Sequence, residues 1–515
     1  MMQITRVLKQ TAERNACGIA TIDVESGSQK TWREFTERAA KLAGALLSLG
    51  LKRDDRVAAL TRNSDVHLEY YLATIWAGGI FVPLNTRLTS HEISRLLSDC
   101  GAKIIVADDH TYTKLDELSK PKHTIFTGKG YTPDGCLEHE SFLKSGKPAT
   151  DINRDGEDMA MILYTGGTTG QPKGAILTHN NIISNSHSAL SILDDGKPWR
   201  YLHAAPMYHI ADCQWNAGVT MIAGTHLFLE KFEPDQVLSI INRYKITHTA
   251  LVPTMIKMLC DVQDINSHNL SSLRMINFGG SPISPELIQR ARKTFPECKF
   301  IQGYGLTETS PNISMLPDRY NSVGDPKIES AGQPVPGMSV KIVDENGEKL
   351  EQGKIGEIIT KGSHVMAGYW NNLRETENTI RNGWLHTGDL GYKDEDGFIY
   401  IVDRLKDMII TGAENVYSTE VEEIIQQLEP IDSCAVIGIP DEKWGEAVHA
   451  IVVPKEDLNI TEEEIQSHCR KYLADYKCPK RIDIRREPLP MSGPGKILKR
   501  ELRKPFWADE NWQVN

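Results

Sequence analysis

The sequence predicts an α/β protein. A large amino-terminal domain, residues 1–404, would hold two α/β sheets and a small β-rich subdomain, and a small α+β domain, residues 405–515, would follow. Three observations lead there. Helical and strand patterns alternate through the first 150 residues, as they do when helices cover a parallel sheet. The alternation returns between residues 234 and 302. From about Val323 the texture changes to short strands split by Gly, Asn and Asp.

The elements follow in order. Residues 31–49 carry Phe35, Ala39, Leu42, Leu46 and Leu49 at helical spacing, with Gly50 as a stop. Residues 56–60 and 80–84 read as short buried strands, and a helix over 91–97 leads to a strand over 103–107. A helix over 234–244 precedes a strand at 248–252. Another over 284–294 precedes a strand at 299–302, after which a loop of Gly, Thr and Glu is expected. Short strands at 339–343, 356–360 and 398–402 make up the β-rich part. After Arg404 come a helix (419–427), strands (433–439 and 447–453), a helix (461–473) and a Gly/Pro-rich loop (490–495). That is enough for a separate domain of about 110 residues.

Composition sets bounds on function. At 515 residues a large core is affordable, and 40% hydrophobic with 25% charged residues is ordinary for a globular chain. A net charge of −11 argues against a general nucleic-acid binder but not against a local anion site. The first residues have no signal-peptide core, and no apolar run is long enough to span a membrane. Nine scattered cysteines without a Cys-x-x-Cys pair predict reduced thiols in a cytoplasmic protein and no zinc site.

The chemistry concentrates in a few segments. Residues 164–174 hold four glycines, three threonines and a lysine between two apolar runs. Glycine lets backbone N–H groups face an anion, threonine adds hydroxyl donors and lysine adds charge, which suits a triphosphate. The loop is not a Walker A motif, because Gly174 rather than Ser or Thr follows Lys173. Further on, Gly303, Tyr304 and Gly305 lead to Thr307 and Glu308. Tyr304 is able to stack on a base and Glu308 to hold a hard cation, although a solvated loop fits as well. Asp389, just after Gly388, suits ribose hydroxyls or simply a turn. Residues 403–407 pack four charges into five positions, which also fits a charged hairpin. Lys496 stands on a Gly/Pro loop, and His209 follows Tyr208; alone, each has a bland reading as a solvated lysine and a buried histidine.

Taken jointly and in order, these motifs resemble the adenylate-forming superfamily: acyl-CoA synthetases, peptide-synthetase adenylation domains and firefly-type luciferases. The resemblance extends over essentially the whole chain. It implies two steps. A carboxylate attacks the α-phosphate of ATP to give acyl-AMP and pyrophosphate, and a thiol, here CoA, then displaces AMP. Charge builds on the phosphates in the first step, so placed donors and Mg²⁺ should supply much of the rate. By motif, Thr165, Gly166, Gly167, Thr168, Thr169, Gly170 and Lys173 would cover the β- and γ-phosphates. Gly279, Gly280 and Ser281 would line the adenine and Tyr304 would stack on it. Thr307 would touch the α-phosphate, Glu308 would bind Mg²⁺, and Asp389 and Arg404 would bind ribose. Lys496 would act in the first step, and His209 would gate the acyl site, with Ala211, Trp215, Gly303 and Gly305 near the acyl pocket. The small domain would rotate about Lys406 between steps, bringing Gly412, Trp444 and Gly445 to the thiol tunnel.

Three positions depart from the pattern: Gly166 replaces a serine, Pro494 a serine or threonine, and Ser418 stands where proline is common, with little effect expected. The acid is expected to be a medium- or longer-chain fatty acid, with an aryl or cinnamate-type acid next. A buried Asp212 would suit a cationic, carnitine-type acid, but an outward-facing side chain is the simpler expectation. A stand-alone adenylation enzyme loading a carrier protein, and a homo-oligomeric state, are left open.

Overall fold

The computed structural model describes residues 2–115, 121–165, 172–281, 283–322, 324–411, 414–441, 444–491 and 497–507. The chain divides into two units, Met1–Val340 with Thr360–Leu385, and Lys341–Ile359 with His386–Asn515.

Local chemistry sets the helix starts of the first unit. Thr31 accepts from the Glu34 amide while the Glu34 carboxylate accepts from the Thr31 N–H, closing a capping box at the head of Trp32–Ser48. Thr89 and Glu92 do the same for Ser90–Cys100. Proline opens Pro234–Tyr244, Pro253–Cys260 and Pro285–Thr294, where its missing N–H costs nothing. The predicted stripe of Trp32–Ser48 is buried: Phe35, Ala39, Leu42 and Leu46 are all inside.

Two large sheets make up most of this unit. One has nine strands. At its centre Lys299–Gly305, Met275–Gly279, His248–Leu251, Arg200–His203, Thr225–Phe228 and Ile19–Asp23 run parallel in that spatial order. The other has eight strands, with Met159–Thr165, Ile80–Pro83, Arg56–Leu60, Ile104–Ala107 and His123–Phe126 parallel at its centre. At one side of it Lys173–Thr178 runs back antiparallel to Met159–Thr165 and carries the short strand Gly368–Tyr369. Helices cover these sheets, as the alternating pattern predicts.

The strand expected at 299–302 runs on to Gly305, through the glycine motif read as a loop. Gln302, Gly303 and Tyr304 pair antiparallel with Leu316, Met315 and Ser314. A ladder partner supplied from Asn312–Leu316 outweighs the low strand preference of glycine.

A third, smaller sheet orders Met338–Val343, Gly356–Gly362, Trp384–Lys393 and Ile380–Arg381, with Ile399–Arg404 on Trp384–Lys393. In the second unit a mixed sheet is built around the long hairpin Ile431–Asp441 and Gly445–Pro454. Period-two alternation gives it two apolar faces. Val436, Val448 and Val452 pack with Val421, Ile425 and Ile465 of the helices Ser418–Gln426 and Glu462–Tyr472. Ala435, Ile437 and Ile451 pack with Leu489 and with Leu502 of Lys499–Trp507. The fold is thus a large α/β region with a smaller mixed α/β domain, as predicted. Among the described residues no helix is long and apolar enough to cross a membrane, and all nine cysteines are free thiols.

Candidate functional site

In the first unit, the predicted residues follow the carboxyl ends of parallel strands, where open α/β sheets place ligands. Gly279 ends Met275–Gly279 and is in register with Gly303 on the next strand. Gly280 and Ser281 come directly after, with Gly280 exposed at φ +83°. Tyr304 and Gly305 close the neighbouring strand, and Thr307 and Glu308 lie on the single turn Thr307–Thr309 behind it. Gln302 to Glu308 are all half-buried, so this run lines an accessible edge.

Glu308 is held at both ends. Its carbonyl accepts from the Met366 amide at 2.8 Å, and its Oε1 accepts from the Tyr369 hydroxyl at 2.8 Å. Burial and the neighbouring Glu308 charge raise the Tyr369 pKa, so the phenol stays a donor. Lys173 begins the strand beside Tyr369. Its Nζ is ion-paired with Glu375 and lies 5.3 Å from the Tyr369 ring centroid. Thr165 is in register with Lys173, and its hydroxyl donates to the Lys173 carbonyl at 3.4 Å. Gly166, Gly167, Thr168, Thr169 and Gly170 lie outside the described residues.

No local pattern marks Tyr369 or Glu375. Glu375 meets Lys173 across 202 positions of sequence, through pairing of Gly368–Tyr369 with Ile176 and Ala175. Among the described residues no three His, Cys, Asp or Glu side chains converge as a metal centre. One hard, hydrogen-bonded carboxylate suits Mg²⁺, which takes one or two carboxylates and completes its shell from phosphates and water.

The helix Ile210–Met221 carries the expected acyl-site residues. His209 sits at its N-cap position. Burial, with Arg87 nearby, pushes its pKa down to about 4, so it is neutral, and its Nε2 has no partner among the described residues. Ala211 is half-buried. Trp215 is 2% exposed, packed 5.9 Å from Trp199 and 5.6 Å from Tyr201, in an apolar cluster that Tyr304 also joins.

Asp212 does not face outward as expected: it is fully buried. Its Oδ1 accepts from the Tyr201 hydroxyl at 3.1 Å and its Oδ2 lies 2.6 Å from His203 Nδ1. The chain of contacts continues from His203 Nε2 to His226 Nδ1 and from His226 Nε2 to Thr220. Buried carboxylates need such partners. Both oxygens are therefore engaged inside the fold.

In the second unit, Asp389 and Arg404 face each other in register across an antiparallel ladder, with Nε–Oδ1 at 2.9 Å. Asp389 is a ladder residue and not the turn or cap that its place after Gly388 also allows. Gly388, in the same strand, donates its amide to Glu357 Oε1 at 3.1 Å. Lys406 is exposed on the tight turn after the strand, and its carbonyl accepts from Arg503 Nη1 at 2.8 Å.

Ser418 corrects the expectation of little effect. It is fully buried, and its amide donates to Asp403 Oδ2 at 2.6 Å. Its hydroxyl binds the same carboxylate at 2.8 Å and accepts from Lys499 Nζ at 2.6 Å. Proline would supply neither donor. Trp444 is 45% exposed, with its amide on Asp441 Oδ1, and Gly445 opens the strand behind it. Lys496 and Gly412 lie outside the described residues.

The profile of the AMP-binding enzyme family matches residues 8–370, and that of the AMP-binding enzyme C-terminal domain matches residues 420–496. A feruloyl-CoA synthase from an Amycolatopsis species is 37% identical over 489 residues, 95% of this chain and 96% of that protein. A long-chain-fatty-acid–CoA ligase from Yersinia pestis is 35% identical, over 93% of this chain and 90% of that one. Among solved structures, ATP-bound MatB from Rhodopseudomonas palustris has a TM-score of 0.87 at 31% identity, with 99% of each chain covered.

Proposed function

This chain belongs to the AMP-binding enzyme family, in its acyl-CoA synthetase branch, and is an AMP-forming acid–CoA ligase; from that premise we propose that its acid is apolar, a medium- or long-chain fatty acid. The observation that supports this reading best is the apolar setting of the expected acyl segment. Tyr304 packs against the buried cluster that holds Trp215, and the one carboxylate on the helix, Asp212, is hydrogen-bonded inside the fold. Such a wall favours an uncharged acyl body. An aryl acid is the second reading, favoured by 37% identity to a feruloyl-CoA synthase.

The residue roles follow the resemblance. Thr165 and Lys173 would meet the phosphates, Gly279, Gly280, Ser281 and Tyr304 the adenine, and Thr307 the α-phosphate. Asp389 and Arg404 would meet the ribose, and Lys496 the reacting carboxylate. Glu308 would hold Mg²⁺, which would offset charge on the transferring phosphate. By the same resemblance the domain boundary would fall at 404/405, with the hinge at Lys406. Glu308→Gln is then expected to lower acyl-AMP formation at least about 100-fold, since it removes a charge that acts on the transition state.

Mass spectrometry of AMP and thioester tests the whole reading, with Mg·ATP and a panel of alkyl acids, benzoates, cinnamates and carnitine, with and without CoA. Alkyl-CoA from a narrow range of chain lengths is the expected result. Products from cinnamates alone would shift the assignment to an aryl acid. Adenylate that never moves to CoA would point to a carrier-protein acceptor.

A further inference from the structure

Lys173 begins a strand of one sheet and Glu308 lies on the turn that follows a strand of the other, and one side chain touches both. Tyr369 donates its hydroxyl to Glu308 Oε1 at 2.8 Å, and the Lys173 ammonium lies 5.3 Å from its ring centroid. The tyrosine is itself well anchored. Its backbone pairs with Ala175, two positions after the lysine. Its amide donates to Thr376 Oγ1 at 2.8 Å, and that hydroxyl donates to the Asn372 carbonyl at 2.9 Å. Glu375, on the same short helix as Thr376, holds the far side of Lys173 as an ion pair. The residue is 8% exposed, so its ring has little freedom to swing away.

We propose that Tyr369 is a positioning residue for metal-dependent nucleotide binding: its hydroxyl fixes the Glu308 carboxylate while its ring seats the Lys173 ammonium, so one side chain sets the spacing between the cation site and the phosphate lysine. This rests on the roles proposed above for Glu308 and Lys173. Partners that orient a metal-binding carboxylate contribute to metal affinity without touching the metal. A carboxylate oxygen that accepts one hydrogen bond keeps lone pairs for a cation, so the Tyr369 contact orients Glu308 without blocking it. The ring contact adds a cation–π attraction that localises a flexible lysine.

The test is calorimetric titration of ATP at a series of Mg²⁺ concentrations, on the full chain and on Tyr369→Phe, Glu308→Gln and the double variant. Phenylalanine keeps the ring and the core volume and deletes only the hydroxyl. It is expected to raise the Mg²⁺ concentration for half-maximal nucleotide binding about tenfold. Affinity for ATP in EDTA, which reads Lys173 and the ring, should stay unchanged. In the Glu308→Gln background the phenylalanine should add no further shift. An unchanged Mg²⁺ midpoint in Tyr369→Phe, or full additivity with Glu308→Gln, overturns the proposal. Should Tyr369→Phe fail to fold, Thr376→Ala frees the tyrosine amide and keeps the phenol. A rise of the same midpoint of about threefold supports the positioning role, and no shift overturns it. Failure of the unaltered chain to bind Mg·ATP would overturn the underlying reading of the site as well.

Discussion

At the residue scale, Ser418 shows how much one small side chain carries. It supplies an amide and a hydroxyl to Asp403 and an acceptor to Lys499, whose ammonium also pairs with Glu422 at 2.8 Å. Ser418→Pro deletes both donors and leaves a buried carboxylate short of partners. Each such loss costs about 1–3 kcal/mol. The urea midpoint of Ser418→Pro should therefore fall clearly, and that of Ser418→Ala, which keeps the amide, should fall less. Equal stability of Ser418→Pro and the unaltered chain would contradict the network. The sequence marks Ser418 only as a departure from a proline. Its partners, Asp403 and Lys499, are 15 and 81 positions away, so no short-range pattern joins them. Asp212 fails in the same way: an acidic residue on a helix reads as solvent-facing until Tyr201 and His203 on a neighbouring strand supply its hydrogen bonds.

At the element scale, periodicity and caps locate most helices and strands, because those signals are local. The predicted 234–244 helix is observed as Pro234–Tyr244 and the predicted 56–60 strand as Arg56–Leu60. What periodicity cannot show is which strand pairs with which. The ladder that carries Lys299–Gly305 past Gln302, and the strand Gly368–Tyr369 that brings Tyr369 to Lys173, both depend on distant segments. The glycines of the edge also separate by cause. A Cβ on Gly305 would overlap the carbonyl of Pro311, and one on Gly279 would overlap the carbonyl of Gly303. These glycines are required by backbone approach between strands, whatever a ligand needs. A Cβ on Gly280 would meet only the Val252 side chain, at an ordinary contact distance of 3.8 Å, but its φ of +83° disfavours any side chain by about 1–2 kcal/mol. Gly305→Ala must shift backbone, so it should lower the thermal midpoint more than Gly280→Ala does. The reverse order in a thermal melt would mean that the ladder around Gly305 is more yielding than its geometry indicates.

At the scale of the whole molecule, pH and the proposed rotation supply the tests. Burial, with smaller contributions from neighbouring charges, depresses six histidines of the first unit: His67 and His248 to about 3, His179 and His209 to about 4, and His226 and His364 in the same direction. Below their ordinary value near 6.5 the unfolded chain takes up protons that the folded chain refuses. Stability is therefore full above about pH 6.5 and falls as pH drops toward 4, at about 1.4 kcal/mol per pH unit for each histidine. A urea midpoint lower at pH 5 than at pH 7 is expected, and a flat profile would contradict it. The proposed hinge calls for a kinetic test. Lys406 sits on a turn in which the Asp407 and Met408 amides both donate to the Arg404 carbonyl. Proline at 406 would fix its own φ near −65° and push Leu405 toward extended geometry. A rotation that passes through Lys406 would then stop at one end. Lys406→Pro is expected to keep adenylate formation, measured by pyrophosphate release, within a few-fold, and to slow transfer of supplied acyl-AMP to CoA by about 100-fold or more, a barrier rise of about 3 kcal/mol. Lys496→Ala should show the opposite split, because a charged side chain acting on the phosphoryl step has no part in attack by a thiol. If both variants lose the two half-reactions equally, one fixed arrangement serves both steps and the hinge assignment falls.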